Sequence, residues 1–444
     1  MARTKQTACK ATGGSAGRVR LLIGSAAGNS SAVGRQDDVE VCEGFRHNDF
    51  CIICRDGSVD DDFLLLCDEC PCVVCTHCIM IPLAFAQAVR APHVTFRCIC
   101  CHVTGQRQGG NALAPYFGFY RNNKPVLDSF LPIRAALEIN VTSQLSSDTL
   151  LFVHLTLVDY DTIGTSFELT HQFLMPYFPN AGMEYHKVTF DVGTTSKVKT
   201  YEDSMAALVD KLSSTTWSRI VFGISNHTDN SSGDPFVGYE RKTYVATPVH
   251  DFLAIILGPW QALIDRTPES FLWLFSCGAL VNNAESFSNL RVSVAHHGVS
   301  AAIAFNAVRF QPSFSAHLLL AFCELVLIQC HSIQQAFPNM LGQSYKLGRH
   351  SDMFLLLKHD INSVDVFRYC WTHSHLCPWG NFLPLQCPDC GLVDAWNSAN
   401  HQKEYSFECK GENCRRGFVF SAPANSRVLI PGKTRVSSWI EIPL

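Results

Sequence analysis

Residues 219–227 read RIVFGISNH, and residues 271–277 read FLWLFSC. Each is a short, nearly continuous apolar run, the pattern of a strand buried on both faces of a parallel sheet. Each ends on a residue able to do chemistry, His227 in the first and Cys277 in the second. Open α/β sheets bind their ligands outside the carboxyl ends of the strands. A thiol and an imidazole at two such ends therefore make a candidate nucleophile and base. Taken alone, a strand-end cysteine is more often a small buried hydrophobe, and single histidines such as His154, His296 and His297 are usually structural. The pairing is what singles out these two.

The surrounding sequence extends the pattern. LLFVHLTLVD (150–159), SMAALVDKLS (204–213), HDFLAIILGPWQALID (250–265), VSAAIAFNAV (299–308) and SAHLLLAFCELVLIQCHSIQQAF (315–337) alternate apolar strands with amphipathic segments. That alternation predicts an α/β sandwich with a mostly parallel sheet over residues 148–365. With 444 residues, 47% of them hydrophobic and 17% charged, the chain is long enough for several domains and a sizeable core. A net charge of −4 leaves no electrostatic footprint for broad nucleic-acid binding. FLAIILGPWQALI and LLLAFCELVLIQC are too short to span a bilayer and contain Pro259 or Glu324, so no membrane role is expected. The N-terminus lacks the apolar core of a secretory signal, so the 21 cysteines are read as metal ligands and catalytic thiols, not disulfides.

The first cysteine block reads CIICRDGSVDDDFLLLCDECPCVVCTHCI (51–79) and then FRCICC (96–101). Its C-x2-C pairs, Cys51/Cys54, Cys67/Cys70, Cys75/Cys78 and Cys98/Cys101, supply eight ligands, enough for two closed tetrahedral zinc sites. Such ions fold a segment too small for its own core. The arrangement resembles a PHD finger, with DFC-x2-C at its start, CDEC in the middle and Phe96 two residues before Cys98, where the family usually has Trp. The resemblance implies interleaved pairs, with Cys51, Cys54, Cys75 and Cys78 on one zinc and Cys67, Cys70, Cys98 and Cys101 on the other. The family's usual fifth ligand is His; Cys75 stands there, with His77, out of register, as second choice. Cys72 and Cys100 are left over. The module is assigned to residues 42–104, and residues 105–147, punctuated by Gly, Asn and Pro, read as a linker with short elements.

Residues 2–14, ARTKQTACKATGG, resemble the tail of histone H-three, with identity from Ala2 through Ala8. The rest of residues 1–41 is rich in Gly, Ser and Ala and buries too little apolar surface to order itself. PHD fingers read that histone tail as an added strand. The resemblance implies that FLLLC, with Phe63, Leu64 and Leu65, is the receiving strand. Asp60, Asp61 and Asp62 would then meet an unmodified lysine ammonium, since methyl-lysine needs an aromatic cage and only Phe50 and Phe63 are candidates for one. The expected ligand is the chain's own Ala2, Arg3, Thr4 and Lys5, docking in cis or in trans and competing with a genuine tail. The mimic can equally act as bait for histone-modifying enzymes. The partner implies a nuclear location.

The His227/Cys277 interval of fifty residues is about that of the caspases. The pair resembles the caspase-like cysteine peptidases, most closely the CHAT branch, in which a strand ends in His, a later strand ends in Cys followed by Gly, and a strand and helix follow. The resemblance implies that the Cys277 thiolate attacks the scissile carbonyl and His227 assists proton transfer to the leaving amine. Backbone N–H groups around Cys277 and Gly278 would bind the oxyanion. Thr228 replaces the Gly common after the family's His, and Ser276 its acidic or Gln lead-in. Asp229, Asp234 and Glu240 are expected to line a pocket for a basic residue. Farther on, CPDCGLVDAWNSANHQKEYSFECKGENC (387–414) resembles a zinc ribbon, placing Cys387, Cys390, Cys409 and Cys414 on a third structural zinc ion within residues 375–444. Together these readings describe a chromatin-associated cysteine peptidase with a reader of the unmodified tail. The alternative is a non-catalytic adaptor with an inactive caspase-like scaffold, of mobile-element origin in one version.

Overall fold

The structure, a computed structural model, describes residues 18–19, 47–48, 50–54, 64–108, 114–134, 146, 148–161, 165–178, 182–360, 363–401, 404–431 and 436–444. The chain divides into two units. One comprises residues 1–147, 177–181 and 327–331; the other comprises 148–176, 182–326 and 332–444.

In the first unit, strand β2 (Leu64–Leu66) lies between β1 (Arg18–Val19), which runs parallel to it, and the antiparallel β3 (Val73–Cys75). Strand β4 (Val94–Phe96) precedes helix α1 (Ile99–Gln108) and pairs antiparallel with β5 (Phe119–Arg121), which turns back as β6 (Lys124–Pro125). Asn122 and Asn123 make that turn with φ of 49° and 60°. Both lie in the left-handed region that asparagine tolerates and that two-residue hairpins require. Residues 114–134 fall within the stretch expected to be a linker, yet they pack into this unit. The Phe119 ring is buried 5.1 Å from that of Phe96, the Tyr116 hydroxyl donates to the Arg97 carbonyl at 2.8 Å, and Leu127 and Leu131 join the same cluster. Seven cysteines, including Cys51, Cys67 and Cys98, share that core with Leu64, Val73 and Val74.

The second unit carries strands β7 (Leu150–Leu157), β8 (Met183–Phe190), β9 (Arg219–Ser225), the hairpin β10 (Phe236–Glu240) and β11 (Thr243–Ala246), then β12 (Glu269–Phe275) and β13 (Ala301–Phe305). Helices α2 (Ser166–Leu174), α3 (Thr195–Leu212), α4 (Val249–Leu257), α5 (Gln261–Arg266), α6 (Ala279–Asn282), α7 (Ala284–His296), α8 (Ala316–Phe322) and α9 (Ile333–Gly342) connect and cover them. After these come β14 (Met353–Asp360), β15 (Ser363–His373), β16 (Trp396–His401), β17 (Glu404–Cys409), β18 (Gly417–Ser421), β19 (Arg427–Pro431) and β20 (Ser437–Pro443).

One mixed sheet runs in the order β19-β20-β15-β14-β13-β12-β9-β7-β8. Its half from β8 to β13 is parallel, and the strands beyond β13 alternate antiparallel. The expected parallel sheet is thus the core of a larger mixed one. Along β9 and β12 alternate residues face opposite sides, which explains why both strands are apolar throughout. Ile220, Phe222, Leu272 and Leu274 pack with Met205 of α3, Phe252 of α4 and Leu290 of α7. On the other face Phe152 meets Phe167 of α2 at 4.9 Å, and Phe271 and Trp273 meet Phe322 of α8 at 5.0 and 5.2 Å. Burying each of these aromatic side chains contributes about 2–3 kcal/mol. Gly223 within β9 is required by that packing, because a Cβ there would stand 2.6 Å from the Phe167 ring.

Residues 375–444 were expected to form a separate ribbon. A three-stranded antiparallel sheet, β16-β17-β18, does occur there. The chain then returns: β20 pairs with β15 from Phe367↔Pro443 to His373↔Ser437, and β19 pairs with β20. The ribbon is therefore an insertion between strands of the large sheet. The reason is that β15 presents an open edge that the apolar Trp439 and Ile440, both buried, complete.

Candidate functional site

Three groups of four cysteine sulfurs converge: Cys51, Cys54, Cys75 and Cys78; Cys67, Cys70, Cys98 and Cys101; and Cys387, Cys390, Cys409 and Cys414. Within each group all sulfurs lie within 4.8 Å of one another. Individual separations are 3.6 Å for Cys54–Cys75, 3.5 Å for Cys70–Cys98, 3.9 Å for Cys67–Cys101, 3.6 Å for Cys387–Cys414 and 3.5 Å for Cys390–Cys409. A tetrahedral zinc with Zn–S bonds of about 2.3 Å spaces its sulfurs about 3.8 Å apart, so each group fits such an ion. Backbone amides supply the outer contacts that hold thiolates in place. The Cys75 N–H donates to the Cys51 sulfur at 3.2 Å, the Cys98 N–H to Cys67 at 3.3 Å, and the Gly411 N–H to Cys409 at 3.4 Å. His77, the second-choice ligand, is exposed, and Cys75 occupies the first group.

Of the tail-binding residues, Leu64 and Leu65 are buried on β2, paired with Arg18 and Val19 of the N-terminal segment on one side and with Cys75 and Val74 on the other. Asp60, Asp61, Asp62 and Phe63 lie outside the described residues, as do Ala2, Arg3, Thr4 and Lys5. The cage candidate Phe50 stands edge-on to Tyr177 at 5.8 Å.

His227 and Cys277 emerge from neighbouring strands. β9 and β12 pair in parallel register from Arg219↔Glu269 to Ser225↔Phe275. The Asn226 N–H extends the pairing by donating to the Phe275 carbonyl at 3.2 Å. His227 and Cys277 each follow two positions beyond the matched ends, at the carboxyl edge. The Thr228 hydroxyl ties the two loops by donating to the Cys277 carbonyl at 3.2 Å. The His227 ring keeps an exposed edge and meets Tyr160 at 5.0 Å and Phe236 at 6.4 Å. Loss of water against these neighbours lowers its pKa from the ordinary 6.5, so the free ring is neutral at pH 7. Burial, with the Cys277 sulfur as a lesser cause, raises the Tyr160 phenol to about 12. Among the described residues no hydrogen bond joins His227 to Cys277.

Two expectations are corrected. The Gly278 N–H, assigned to the oxyanion, donates to the Ala307 carbonyl at 2.7 Å. Gly278 packs so tightly on the chain beyond β13 that a Cβ would fall 1.9 Å from the Asn306 carbonyl oxygen, so the glycine after Cys277 serves close packing. The Asp229 carboxylate, for its part, is turned into its own loop. Asp229 accepts from the Ser231 hydroxyl at 2.5 Å and from the Ser231 and Ser232 N–H groups at 2.9 Å, and these bonds lower its pKa to about 2. Its Oδ1 closes its own loop, and Glu240 is exposed at the hairpin end. Near the carboxyl ends of β9 and β12 lies a small apolar cavity, walled by Ile224, Leu274, Phe252, Leu253, Leu280 and Leu290, with Asn226 and Ser276 also in its lining.

Sequence reasoning missed Tyr160 and the Asn306–Ala307 support. Tyr160 was findable, because it too follows a parallel strand, β7, and the sheet order reverses between β7 and β9, where such sheets bind ligands. No family model and no curated protein matches this sequence.

Proposed function

We propose that the protein is a chromatin-associated cysteine peptidase that carries a zinc-held reader of the unmodified histone H-three tail. The observation carrying the peptidase reading is the register of β9 and β12, which supports His227 and Cys277 as neighbours at the carboxyl edge beside the switch in strand order. Caspase-like cysteine peptidases are the family this arrangement resembles. With His227 neutral, the imidazole accepts the Cys277 proton as sulfur attacks the carbonyl carbon, then delivers it to the departing amine.

The reader half draws support from β2, which pairs along its backbone with residues 18–19 of the same leader that carries the histone-like sequence. On this reading the leader occupies the reader in cis, and a genuine tail competes with it. Deleting residues 2–19, which removes both the histone-like stretch and the paired Arg18 and Val19, should raise the affinity for an added unmodified tail peptide; unchanged affinity removes the cis plug. A non-catalytic adaptor is the second reading, favoured by the engagement of the Gly278 N–H with Ala307.

Intact mass of the zinc-loaded protein incubated with histone H-three, beside Cys277→Ala, separates the two. New fragments absent from the control support the peptidase. Intact species in both samples, with the tail still bound, support the adaptor.

A further inference from the structure

Cys72 and Cys100 belong to none of the three four-sulfur groups, yet both are buried, at 4% and 5% exposure. Their sulfurs lie within 4.8 Å of each other and of the Cys98 sulfur, which is also a member of the second group. Cys70 of that group flanks them. Its sulfur accepts the Cys72 N–H at 3.4 Å and stands 3.5 Å from the Cys98 sulfur. Cys67, Cys70, Cys72, Cys98, Cys100 and Cys101 thus form one continuous sulfur cluster in which Cys98 is common to both halves.

We propose that Cys72, Cys98 and Cys100 hold a further thiolate-preferring metal ion, zinc under ordinary loading, with the Cys98 thiolate bridging it to the ion of Cys67, Cys70, Cys98 and Cys101. Three converging sulfurs supply one face of a tetrahedron, and Cys70 or water takes the fourth position. Zinc binding here would take one proton from each of the Cys72 and Cys100 thiols, with the Cys98 sulfur shared between the two ions. Soft thiolate donors without carboxylate or imidazole also select against magnesium and calcium. The competing chemistry is a Cys72–Cys100 disulfide, which removes two hydrogens and needs an oxidant.

The test is the native mass of the full chain, purified with zinc and a reductant, beside the Cys72→Ser/Cys100→Ser double variant. Four zinc ions in the parent and three in the variant are expected. A parent holding three or fewer overturns the proposal, as does a parent two hydrogens lighter or a variant that keeps four. If the double variant does not fold, partial zinc removal from the parent decides. Cys72 and Cys100 should be the first thiols alkylated as the count falls from four to three; any other first pair overturns it.

Discussion

Where the sheet unit buries Trp260, Trp273, Phe222 and Phe271, the cysteine-rich unit buries sulfur. The sheet unit draws its stability from apolar area removed from water, spread over many side chains. The cysteine-rich unit has strands of two and three residues, too short to hold together unaided, and it converges eight sulfurs in two groups that could hold ions. With ions in those groups, the two units should fail under different insults.

Chelation should part them most widely. A structural zinc site is worth about 10 kcal/mol or more at neutral pH, so stripping the metal should release amides in β2–β6 to free exchange while β9 and β12 stay protected in hydrogen-exchange mass spectrometry. Simultaneous loss in both units would break the comparison. The reverse lesion is Trp273→Ala, which should cost the sheet unit about 3–5 kcal/mol in denaturant unfolding and leave the zinc count unchanged.

Acid sharpens the contrast next. His154 is wholly buried between the Ser225 hydroxyl at 2.9 Å and the Tyr185 hydroxyl at 3.3 Å, and burial lowers its pKa to about 3. Burial similarly lowers His297, bonded to Gln261 at 2.8 Å, to about 4. In the unfolded chain both titrate near 6.5, so below that pH the unfolded state binds more protons. Stability is therefore complete above pH 6.5 and is lost as pH falls toward 4 and 3. At pH 5.5 the two histidines together should cost roughly 2–3 kcal/mol, and His154→Gln/His297→Gln should flatten the slope in the pH series. The smallest effect is expected at Asn123→Ala, where a left-handed residue loses its tolerance at about 1 kcal/mol. It should lower the thermal midpoint of the cysteine-rich unit alone.

Legibility followed the range of the interactions involved. C-x2-C pairs announce local geometry, so ten of the twelve cysteines of the three groups could be read directly, and the C-x4-C pair Cys409/Cys414 follows the fifth of them closely. RIVFGISNH and FLWLFSC were readable because strands buried on both faces are apolar at every position. The hairpin at Asn122–Asn123 was not, because its strands are short and its place in a core depends on Phe119 meeting Phe96 from far along the chain. The return of β20 to β15 is likewise a pairing between residues about seventy positions apart. At the edge beside His227 and Cys277, the two reactive residues were visible, but the occupied Gly278 N–H and the self-closed Asp229 loop depend on tertiary contacts that no motif encodes.

The strand that completes the edge of β15 comes from residues 437–443, on the far side of the ribbon insertion. A ribosome delivers β7 through β15 long before it delivers β20. During that interval β15 is an unpaired edge, open to pairing with a neighbouring nascent chain. The inserted ribbon lengthens the wait, so the order of synthesis makes this edge the place where misassembly would begin.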